Sequence, residues 1–377
     1  MKKYLLTPGP TPVPAESASK EALPIIHHRT SAFGKIFEEV SEGLKYVFQT
    51  KNDVLIFASS GTGAMEGSIV NLLSPGDKLI VSDTGKFGQR WWKIAKAYGL
   101  EPIILTEEPG NPTDLEKVKK VLKENPGTKA VYTTLTETST GVVNDIEALG
   151  EIISNTEAVL VVDAISGLGA QEMHSDEWKA DVVVTGSQKG LMIPPGLAFA
   201  SVSEKAWKLV ESSKLPKFYF DWKQTRKSIA NKETPYTPAI SLIVALAESL
   251  KMIKSEGIEN IWKRHQILAD ATRSGIKAMG LQLLSVAPCN AVTAVLVPQG
   301  LTGSAIYKKM RDDFGVNIAA GQGELKDKIF RIAHLGYMEK FDIIIALSAL
   351  EMTLTQLGYK LELGKSVASA EEIFLQK

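Results

Sequence analysis

The sequence predicts an α/β protein with a mostly parallel central sheet, helices on both faces of that sheet, and a smaller C-terminal α+β domain. Short, almost continuously apolar runs alternate with helical patterns through the first two hundred residues, which is typical of parallel strands covered on both faces. Beyond residue 257 the order changes, and longer helical patterns alternate with fewer strand-like runs. With 377 residues, the chain is long enough for one large and one small domain.

The first half of the chain supplies most of the predicted sheet. Four prolines within residues 7–14 exclude a helix there and predict an extended N-terminal arm. An apolar stripe predicts a helix over 35–49. Strands are then predicted at 54–58, 79–82, 102–105, 130–134, 159–163, 181–185 and 197–201, and helices near 62–73, 87–98, 113–124 and 145–155. The loop between the last two strands is too short for a crossover helix, so one of them is predicted to be antiparallel or at a sheet edge.

The second half is predicted to be richer in helix. Residues 213–238 contain three prolines and are predicted to be irregular, and a long apolar helix is predicted over 240–256. Further helices are predicted near 259–279 and 302–314, and strands at 291–297 and 329–333. The resulting division is an N-terminal arm at 1–20, a large domain at 21–256 and a small domain at 257–377.

Composition and charge argue against several classes of protein. The chain has 43 lysine and arginine residues and 43 aspartate and glutamate residues. It therefore has no excess of basic residues that would indicate a nucleic-acid partner. The chain contains no run of about 18 apolar residues, so no membrane span is predicted. The apolar stretch before Thr7 is too short for a signal peptide. A single cysteine, Cys289, cannot form an internal disulfide or a cysteine-based zinc site, and it is expected to be buried or half-buried near a strand. It fits a reducing compartment, which predicts a cytoplasmic protein.

The ends of two predicted strands carry the most informative residues. One apolar strand runs into Gly186-Ser187-Gln188 and delivers Lys189 into a tight loop, and another strand ends in Asp163. Pyridoxal phosphate (PLP) needs such a pair: the lysine forms a Schiff base, and the acid pairs with the protonated ring nitrogen and so keeps the ring an electron sink. The alternative is a solvated loop lysine and an aspartate that caps a helix.

A third informative feature is the loop Ser60-Gly61-Thr62-Gly63, where a predicted strand ends and a helix begins. Small residues let the backbone approach a phosphate, and the free N–H groups at the start of the helix can hold it. Plain helix capping and a dinucleotide site are the alternatives. Asp83 would suit the ribose of a dinucleotide, but Glu66 occupies the position of the third glycine, which close helix–strand packing needs.

Together these stretches resemble the class V aminotransferases of PLP fold type I, especially the branch that pairs alanine or serine with glyoxylate or pyruvate. The resemblance covers most of the chain, and its combination of motifs is specific although no single motif is. The motifs are Thr7-Pro8-Gly9-Pro10, Tyr46-Val47-Phe48-Gln49-Thr50, Ser60-Gly61-Thr62-Gly63, Phe87-Gly88-Gln89-Arg90, Glu137-Thr138-Ser139-Thr140-Gly141, Val162-Asp163-Ala164, Gly186-Ser187-Gln188-Lys189 with Pro194-Pro195-Gly196, Thr234-Pro235-Tyr236-Thr237-Pro238 and Phe330-Arg331-Ile332. The resemblance implies PLP fold type I, ping-pong transamination and a homodimer with shared active sites.

The resemblance also implies a role for individual residues. Lys189 would carry PLP as the internal aldimine and act as general base, and Asp163 would pair with the pyridine nitrogen. Arg331 would bind the substrate carboxylate as a bidentate fork. The other implied cofactor contacts are Ser60, Gly61, Thr62 and Gln188 at the phosphate, Thr138 near the ring and its 3′-oxygen, Phe87 stacked on the ring, and Tyr236 or Thr237 at the phosphate of the neighbouring subunit.

Three other functions stay open at this stage. A 2-aminoethylphosphonate–pyruvate or phosphoserine aminotransferase would need an extra cation near Arg331, for which Arg29 and Arg226 are candidates. A cysteine desulfurase would need Cys289 as a nucleophile on a mobile loop. A cofactor-free scaffold protein would not need the pair of Lys189 and an acid.

Structural roles are predicted for several histidine and tryptophan residues. His27 and His28 are adjacent, so their side chains are expected to diverge; no metal site is predicted, and a structural role or a place near the substrate entrance is favoured. His334 is expected to be packed or at the surface. Trp91 and Trp92 are expected to pack a helix, with a place in the pocket or dimer interface as the alternative.

Overall fold

The structure is a computed structural model that describes residues 1–376. Its strands are β1 (Tyr4–Leu5), β2 (Val54–Phe57), β3 (Leu79–Asp83), β4 (Ile103–Thr106), β5 (Ala130–Thr134), β6 (Thr136–Glu137), β7 (Val142–Val143), β8 (Val159–Asp163), β9 (Val182–Gly186), β10 (Ala198–Val202), β11 (Val292–Leu296), β12 (Val316–Asn317), β13 (Ala319–Ala320) and β14 (Ile329–Ala333). Its helices are α1 (Ala15–Glu21), α2 (Ser31–Phe48), α3 (Gly61–Leu72), α4 (Lys86–Ala97), α5 (Leu115–Glu124), α6 (Ile146–Ser154), α7 (Glu204–Ser212), α8 (Trp222–Ile229), α9 (Ile240–Glu256), α10 (Ile258–Ala278), α11 (Gly303–Phe314), α12 (Lys340–Gln356) and α13 (Lys365–Leu375), with a 3₁₀ turn at Gly323–Leu325.

The main sheet contains seven strands in the order β2-β10-β9-β8-β5-β3-β4. Only β10 runs against its neighbours, and it lies between β2 and β9. The predicted α/β class and mostly parallel sheet are confirmed. The predicted exception is also confirmed: β10 is the antiparallel strand, and it lies inside the sheet.

Alternation along each strand produces the two apolar layers. Val183 packs into the layer beneath α2 and α9, whereas Val182 and Val184 pack into the layer beneath α3 and α4. Successive side chains of a strand point to opposite faces, so a strand covered on both faces needs apolar residues at every position. Among the helices of residues 1–376, none combines the length and apolar character that a membrane span requires.

A second sheet, in the order β11-β14-β13, is antiparallel, and its predicted strands β11 and β14 are confirmed. Helices α10 to α13 pack with it around a separate apolar cluster. The N-terminal strand β1 pairs in parallel with β12, and Leu6 is buried in the same cluster. The start of the chain is therefore anchored on the C-terminal part of the molecule, and the arm that follows must cross towards the main sheet.

The prediction that residues 213–238 are irregular throughout is wrong, because α8 lies within this segment. The helix begins where the side chain of Asp221 accepts hydrogen bonds from two backbone N–H groups, and it buries Trp222 and Thr225. The prolines lie on either side of the helix and do not interrupt it. In the N-terminal arm, residues 7–14 contain no helix, as predicted, whereas α1 follows immediately after them.

Candidate active site

A pocket of about 180 Å³ lies at the carboxyl edge of the main sheet. This is the edge at which ligands bind in open parallel sheets, because loops and helix N-termini converge there. The lining includes predicted site residues from three separate parts of the chain, together with residues of the N-terminal arm. The lining residues are Gly9, Pro10, Ser60, Gly61, Thr62, Phe87, Arg90, Ile165, Gln188, Lys189 and Pro195.

Lys189 is buried in this pocket, with 8 % of its surface exposed. Its Nζ donates a hydrogen bond to Ser166 Oγ at 3.3 Å. Burial removes water from the ammonium group and lowers the pKa of Lys189 to about 8, although the negative charge of Asp163 opposes this shift. The cations Arg331 and Arg90 lower the pKa further. Near pH 8 about half of the Lys189 side chains are therefore neutral amines.

The lowered pKa of Lys189 predicts how the apoprotein captures PLP as pH changes. Only the neutral amine is a nucleophile, so the capture rate should rise with pH up to about 8 and level off above it. The measurement is the rate at which the visible absorbance of bound PLP appears after mixing, across a pH series. Free Nα-acetyl-lysine is the control, and its rate should keep rising towards its ordinary pKa of about 10.4. A protein profile that follows this control would contradict the lowered pKa.

Asp163 ends β8 and is buried, and its Oδ1 accepts a hydrogen bond from the Ile165 N–H at 2.8 Å. Burial raises the pKa of Asp163 to about 7, against the opposing effect of that N–H. Among the described residues, no lysine or arginine forms an ion pair with this carboxylate. A cation placed against Asp163 would restore its charged form, which is what a protonated pyridine nitrogen offers.

The loop before α3 presents polar groups that the protein itself leaves unused. Ser60 is the N-cap residue of α3, but its side chain makes no capping hydrogen bond, so plain helix capping does not account for it. Within residues 1–376, the buried Oε1 of Gln188 has no hydrogen-bond partner. A side-chain amide turned about its terminal bond presents N–H donors instead. These groups, with the N-terminus of α3, fit a phosphate.

Glu137 is a buried carboxylate that the sequence analysis did not single out. Its Oε2 accepts hydrogen bonds from the backbone N–H groups of Phe87 and Gly88, at 3.0 and 2.9 Å, and its Oε1 accepts from the N–H of Ser139 at 3.0 Å. Burial raises the pKa of Glu137, and these hydrogen bonds oppose the shift. Glu137 therefore fixes where α4 begins and where the ring of Phe87 lies. The available signal was an acidic residue between two threonines, Thr136 and Thr138, within a motif of the family resemblance.

Thr138 and Arg331 join the second sheet to the pocket. The Thr138 hydroxyl lies 3.0 Å from Ser166 Oγ, and its carbonyl oxygen accepts a hydrogen bond from Arg331 Nη1 at 2.9 Å. The Nε and Nη2 atoms of Arg331 donate to the Ala320 carbonyl oxygen at 3.1 and 2.8 Å. Burial lowers the pKa of Arg331 to about 10, so it remains a cation at neutral pH. Because a guanidinium has five N–H groups, one on each Nη remains for a carboxylate.

Tyr236 and Thr237 do not line the Lys189 pocket of their own chain. They lie at a separate shallow cavity, where the ring of Tyr236 stacks on that of Tyr219 with centroids 5.4 Å apart. The Tyr236 hydroxyl is 3.2 Å from Gln224 Oε1. The adjacent Phe218 is 77 % exposed. Within one chain, this segment therefore lies apart from the predicted phosphate contacts.

The N-terminal arm covers Lys189, although the sequence analysis gave the arm no role in the site. The Pro8 carbonyl oxygen accepts a hydrogen bond from Lys189 Nζ. The Thr11 hydroxyl donates to the carbonyl oxygen of Lys189 at 3.3 Å. Gly9 has a φ of +126°, which side-chain-bearing residues rarely adopt, and a Cβ atom there would lie 2.3 Å from Lys189 Cε, so glycine is favoured beside the lysine.

Two of the histidine interpretations can be compared with the structure. The rings of His27 and His28 lie side by side with centroids 4.9 Å apart, so the prediction that they diverge is wrong. In residues 1–376, no three potential metal-ligating side chains of histidine, cysteine, aspartate or glutamate form a group. His334 is packed, as predicted: its ring nitrogens lie 2.9 Å from Thr293 Oγ1 and from the Asn290 carbonyl oxygen.

The remaining candidates of the sequence analysis are structural in this chain. Trp91 is fully buried in the layer beneath α4, and the predicted helix packing is confirmed. Trp92 Nε1 donates a hydrogen bond to Asp83 Oδ2 at 3.1 Å. The carboxylate that would bind the ribose of a dinucleotide is therefore already hydrogen-bonded to an indole. Cys289 is fully buried, and burial raises the pKa of its thiol.

The fold and the lysine-bearing pocket define an α/β enzyme of PLP fold type I. The chain belongs to the class V aminotransferases, whose family model, "Aminotransferase class-V", matches residues 16–327. It is 45 % identical to a soluble hydrogenase small subunit of Synechococcus sp. (strain PCC 6716), over 99 % of this chain and 98 % of that protein.

Two relatives have names that state an aminotransferase activity. The chain is 35 % identical to the L-aspartate–glyoxylate aminotransferase of Paracoccus denitrificans (99 % of this chain, 96 % of that protein). It is 34 % identical to the serine–glyoxylate aminotransferase of Methylorubrum extorquens (98 % and 95 %). The crystal structure of pyridoxamine-pyruvate aminotransferase from Mesorhizobium loti superposes with a TM-score of 0.95 at 29 % identity, over 99 % of this chain and 97 % of that one.

Proposed function

We propose that this protein is a PLP-dependent aminotransferase that moves the amino group of alanine or serine to glyoxylate or pyruvate. The observation that carries the proposal is the buried Lys189, with its lowered pKa, beside the buried Asp163 at the carboxyl edge of the sheet. The names of the relatives support glyoxylate or pyruvate as the acceptor. No observation on the described residues of this chain favours a hydrogenase activity, which is what the name of the Synechococcus relative states.

The residues of the chain divide the work of two half-reactions. When bound, PLP supplies an electron sink that acidifies the α-proton of an amino acid. The Lys189 amine would take that proton as general base. Asp163 would hold the ring nitrogen in its protonated form, and Phe87 and Thr138 would orient the ring. The first keto acid would leave before the second keto acid binds in the same site, which predicts ping-pong kinetics.

Arg331 is proposed to bind the substrate carboxylate through its two remaining N–H groups. Arg331→Lys keeps the charge but loses the planar fork. Loss of one charge-assisted contact should lower kcat/KM for the amino donor by about 10- to 150-fold, which corresponds to about 1.5–3 kcal/mol. PLP affinity should be nearly unchanged. The matched control is Arg311→Lys, which alters an exposed arginine paired with Asp312. Reduced PLP affinity with normal kcat/KM would contradict the assignment.

We propose a homodimer in which each subunit completes the phosphate site of the other. The support is the segment around Tyr236 and Thr237, which lies apart from its own pocket and is stiffened by Pro235 and Pro238. The fixed backbone loses little entropy on docking. The exposed ring of Phe218 lies 5.8 Å from that of Tyr236, and an interface could cover both. A two-fold dimer would repeat the contact at both sites.

Subunit complementation tests the shared site. Lys189→Ala and the double variant Tyr236→Phe/Thr237→Val should each be inactive or nearly so as homodimers. After subunit exchange, one site of a mixed dimer contains both an intact Lys189 and an intact partner segment, so activity should return towards one working site per dimer. Exchange is verified by mass spectrometry of the intact dimer. A mixture that stays inactive after verified exchange would rule out the shared site.

The rival functions are less well supported. Arg29 is paired with Glu233, and Arg226 with Glu204 and Asp53, so the charge of each is already offset within its own chain. A desulfurase would need an accessible thiolate, which the buried Cys289 does not offer.

A panel of donors and acceptors tests the proposed function. Alanine, serine, aspartate and 2-aminoethylphosphonate are combined with glyoxylate, pyruvate and 2-oxoglutarate. The highest kcat/KM is expected for alanine or serine with glyoxylate or pyruvate. Highest activity with 2-aminoethylphosphonate, or sulfur release from cysteine without transamination, would overturn the proposal. We also propose a cytoplasmic location, which fits a chain with a single, buried thiol.

A further inference from the structure

Arg90 is a cation in the pocket that has no ion-paired carboxylate among the described residues, although its charge lowers the pKa of the buried Asp163. Its side chain is half-buried and lines the pocket with Lys189. Among the described residues, no carboxylate forms an ion pair with it. Its Nη1 donates to Thr62 Oγ1 at 3.0 Å, and its Cζ lies 4.8 Å from the centre of the Phe87 ring. A partly desolvated guanidinium held by neutral groups alone calls for an anion.

The charge of a bound phosphate also favours a direct contact with Arg90. A phosphate monoester carries between one and two negative charges near neutral pH. The contacts proposed for it from Ser60, Gly61, Thr62 and Gln188 are neutral, and so are those from the partner segment. Lys189 is committed to the covalent bond with the cofactor, and Arg331 lies with Thr138 and Ala320 on the side of the second sheet. Among the described residues that line this pocket, Arg90 is the cation left to offset the phosphate.

The geometry around Thr62 defines how Arg90 would act. Because Thr62 Oγ1 accepts a hydrogen bond from Arg90 Nη1, its own hydroxyl hydrogen is available for another acceptor. A guanidinium also has further N–H groups in the same plane for a phosphate oxygen. The same side chain lies over Phe87, so it links the group that holds the phosphate to the ring that stacks on the cofactor.

We propose that Arg90 binds the phosphate of the cofactor directly and aligns the Thr62 hydroxyl towards it. The assignment rests on the proposed function, since it takes PLP as the ligand. It concerns only the phosphate end, so it predicts a difference between ligands that have the phosphate and ligands that lack it. A residue that only maintained the fold would not distinguish the two.

The test compares PLP with pyridoxal, which has the aldehyde but no phosphate. Arg90→Gln keeps a planar side chain with N–H donors and removes the charge. The dissociation constants of both ligands are measured on apoprotein from the visible absorbance of the bound form. Arg90→Gln should weaken PLP binding by about 10- to 100-fold and leave pyridoxal binding within about twofold. Arg90→Lys should recover part of the loss, because it restores the charge without the fork.

Inorganic phosphate provides a second measurement that needs no covalent bond. It should raise the Tm of wild-type apoprotein and compete with PLP, and it should do neither in Arg90→Gln. The control is Arg311→Gln, which removes an exposed arginine that lies over the Tyr307 ring away from the pocket, and which should behave as wild type in both measurements.

The outcomes separate this inference from the proposed function. Equal losses for PLP and pyridoxal would show that Arg90 acts through the fold or through Phe87, and unchanged binding of both would show that it does not touch the phosphate. Either result overturns the assignment and leaves the aminotransferase proposal standing. A wild-type protein that captures neither ligand at Lys189 would overturn the proposed function, and the Arg90 assignment with it.

Discussion

Replacing Lys189 by alanine is expected to abolish amino transfer. The variant loses the amine that is proposed both to attach the cofactor and to move the α-proton. Loss of a positioned general base typically costs about 10²- to 10⁴-fold in rate, and loss of covalent attachment adds to it. PLP should still bind through its phosphate, but borohydride should no longer trap it. Steady-state assays and borohydride reduction of the same preparations provide the measurement.

Mass spectrometry of borohydride-reduced wild type should place the adduct on the peptide that contains Lys189. Lys217→Ala is the matched control, since burial also lowers the pKa of Lys217, but its Nζ bonds to the Val70 carbonyl oxygen and to Ser213, outside the pocket. This variant should retain activity and the adduct. An adduct on any other lysine would overturn the central assignment of the site.

Replacing Asp163 by asparagine should preserve the fold and remove most of the activity. The amide oxygen can still accept the hydrogen bond from the Ile165 N–H, so the loop after β8 keeps its geometry. The amide has no charge with which to hold the ring nitrogen protonated, and the loss of such an aligned electrostatic group costs at least about 100-fold. The kcat of each half-reaction, measured in single turnovers, is the observable.

The same variant should also shift the pH dependence of PLP capture. Asp163 raises the pKa of Lys189 and so opposes the effect of burial. Without it, the pKa of Lys189 should fall further below its present value of about 8, and the capture rate should level off at a lower pH. Asp181→Asn is the control, because Asp181 is also buried with a raised pKa but bonds to Leu160 and Ser203 away from the pocket. Near-normal kcat with an unshifted profile would reduce Asp163 to a loop cap.

Most of the fold could be predicted because its signals are local. The apolar runs of β8 and β9 read as buried strands since every residue in them is covered. The predictions that were wrong concern segments where other interactions outweighed a local sequence signal. Prolines near 213–238 suggested an irregular segment, but the Asp221 cap and the burial of Trp222 were enough for α8. The rings of His27 and His28 lie side by side although chain adjacency suggested divergence.

The sequence by itself determined the class of the protein through its resemblance to the class V aminotransferases, which rests on the combination of Lys189, Asp163, the Ser60 loop and the other motifs along the chain. Only the tertiary structure decided that Arg90 shares a pocket with Lys189, that Glu137 fixes the start of α4, and that the N-terminal arm covers the lysine. Periodicity and propensity act between near neighbours in the chain. Burial, charge balance and pKa depend on groups that lie far apart in sequence, and only the packed fold brings these groups together.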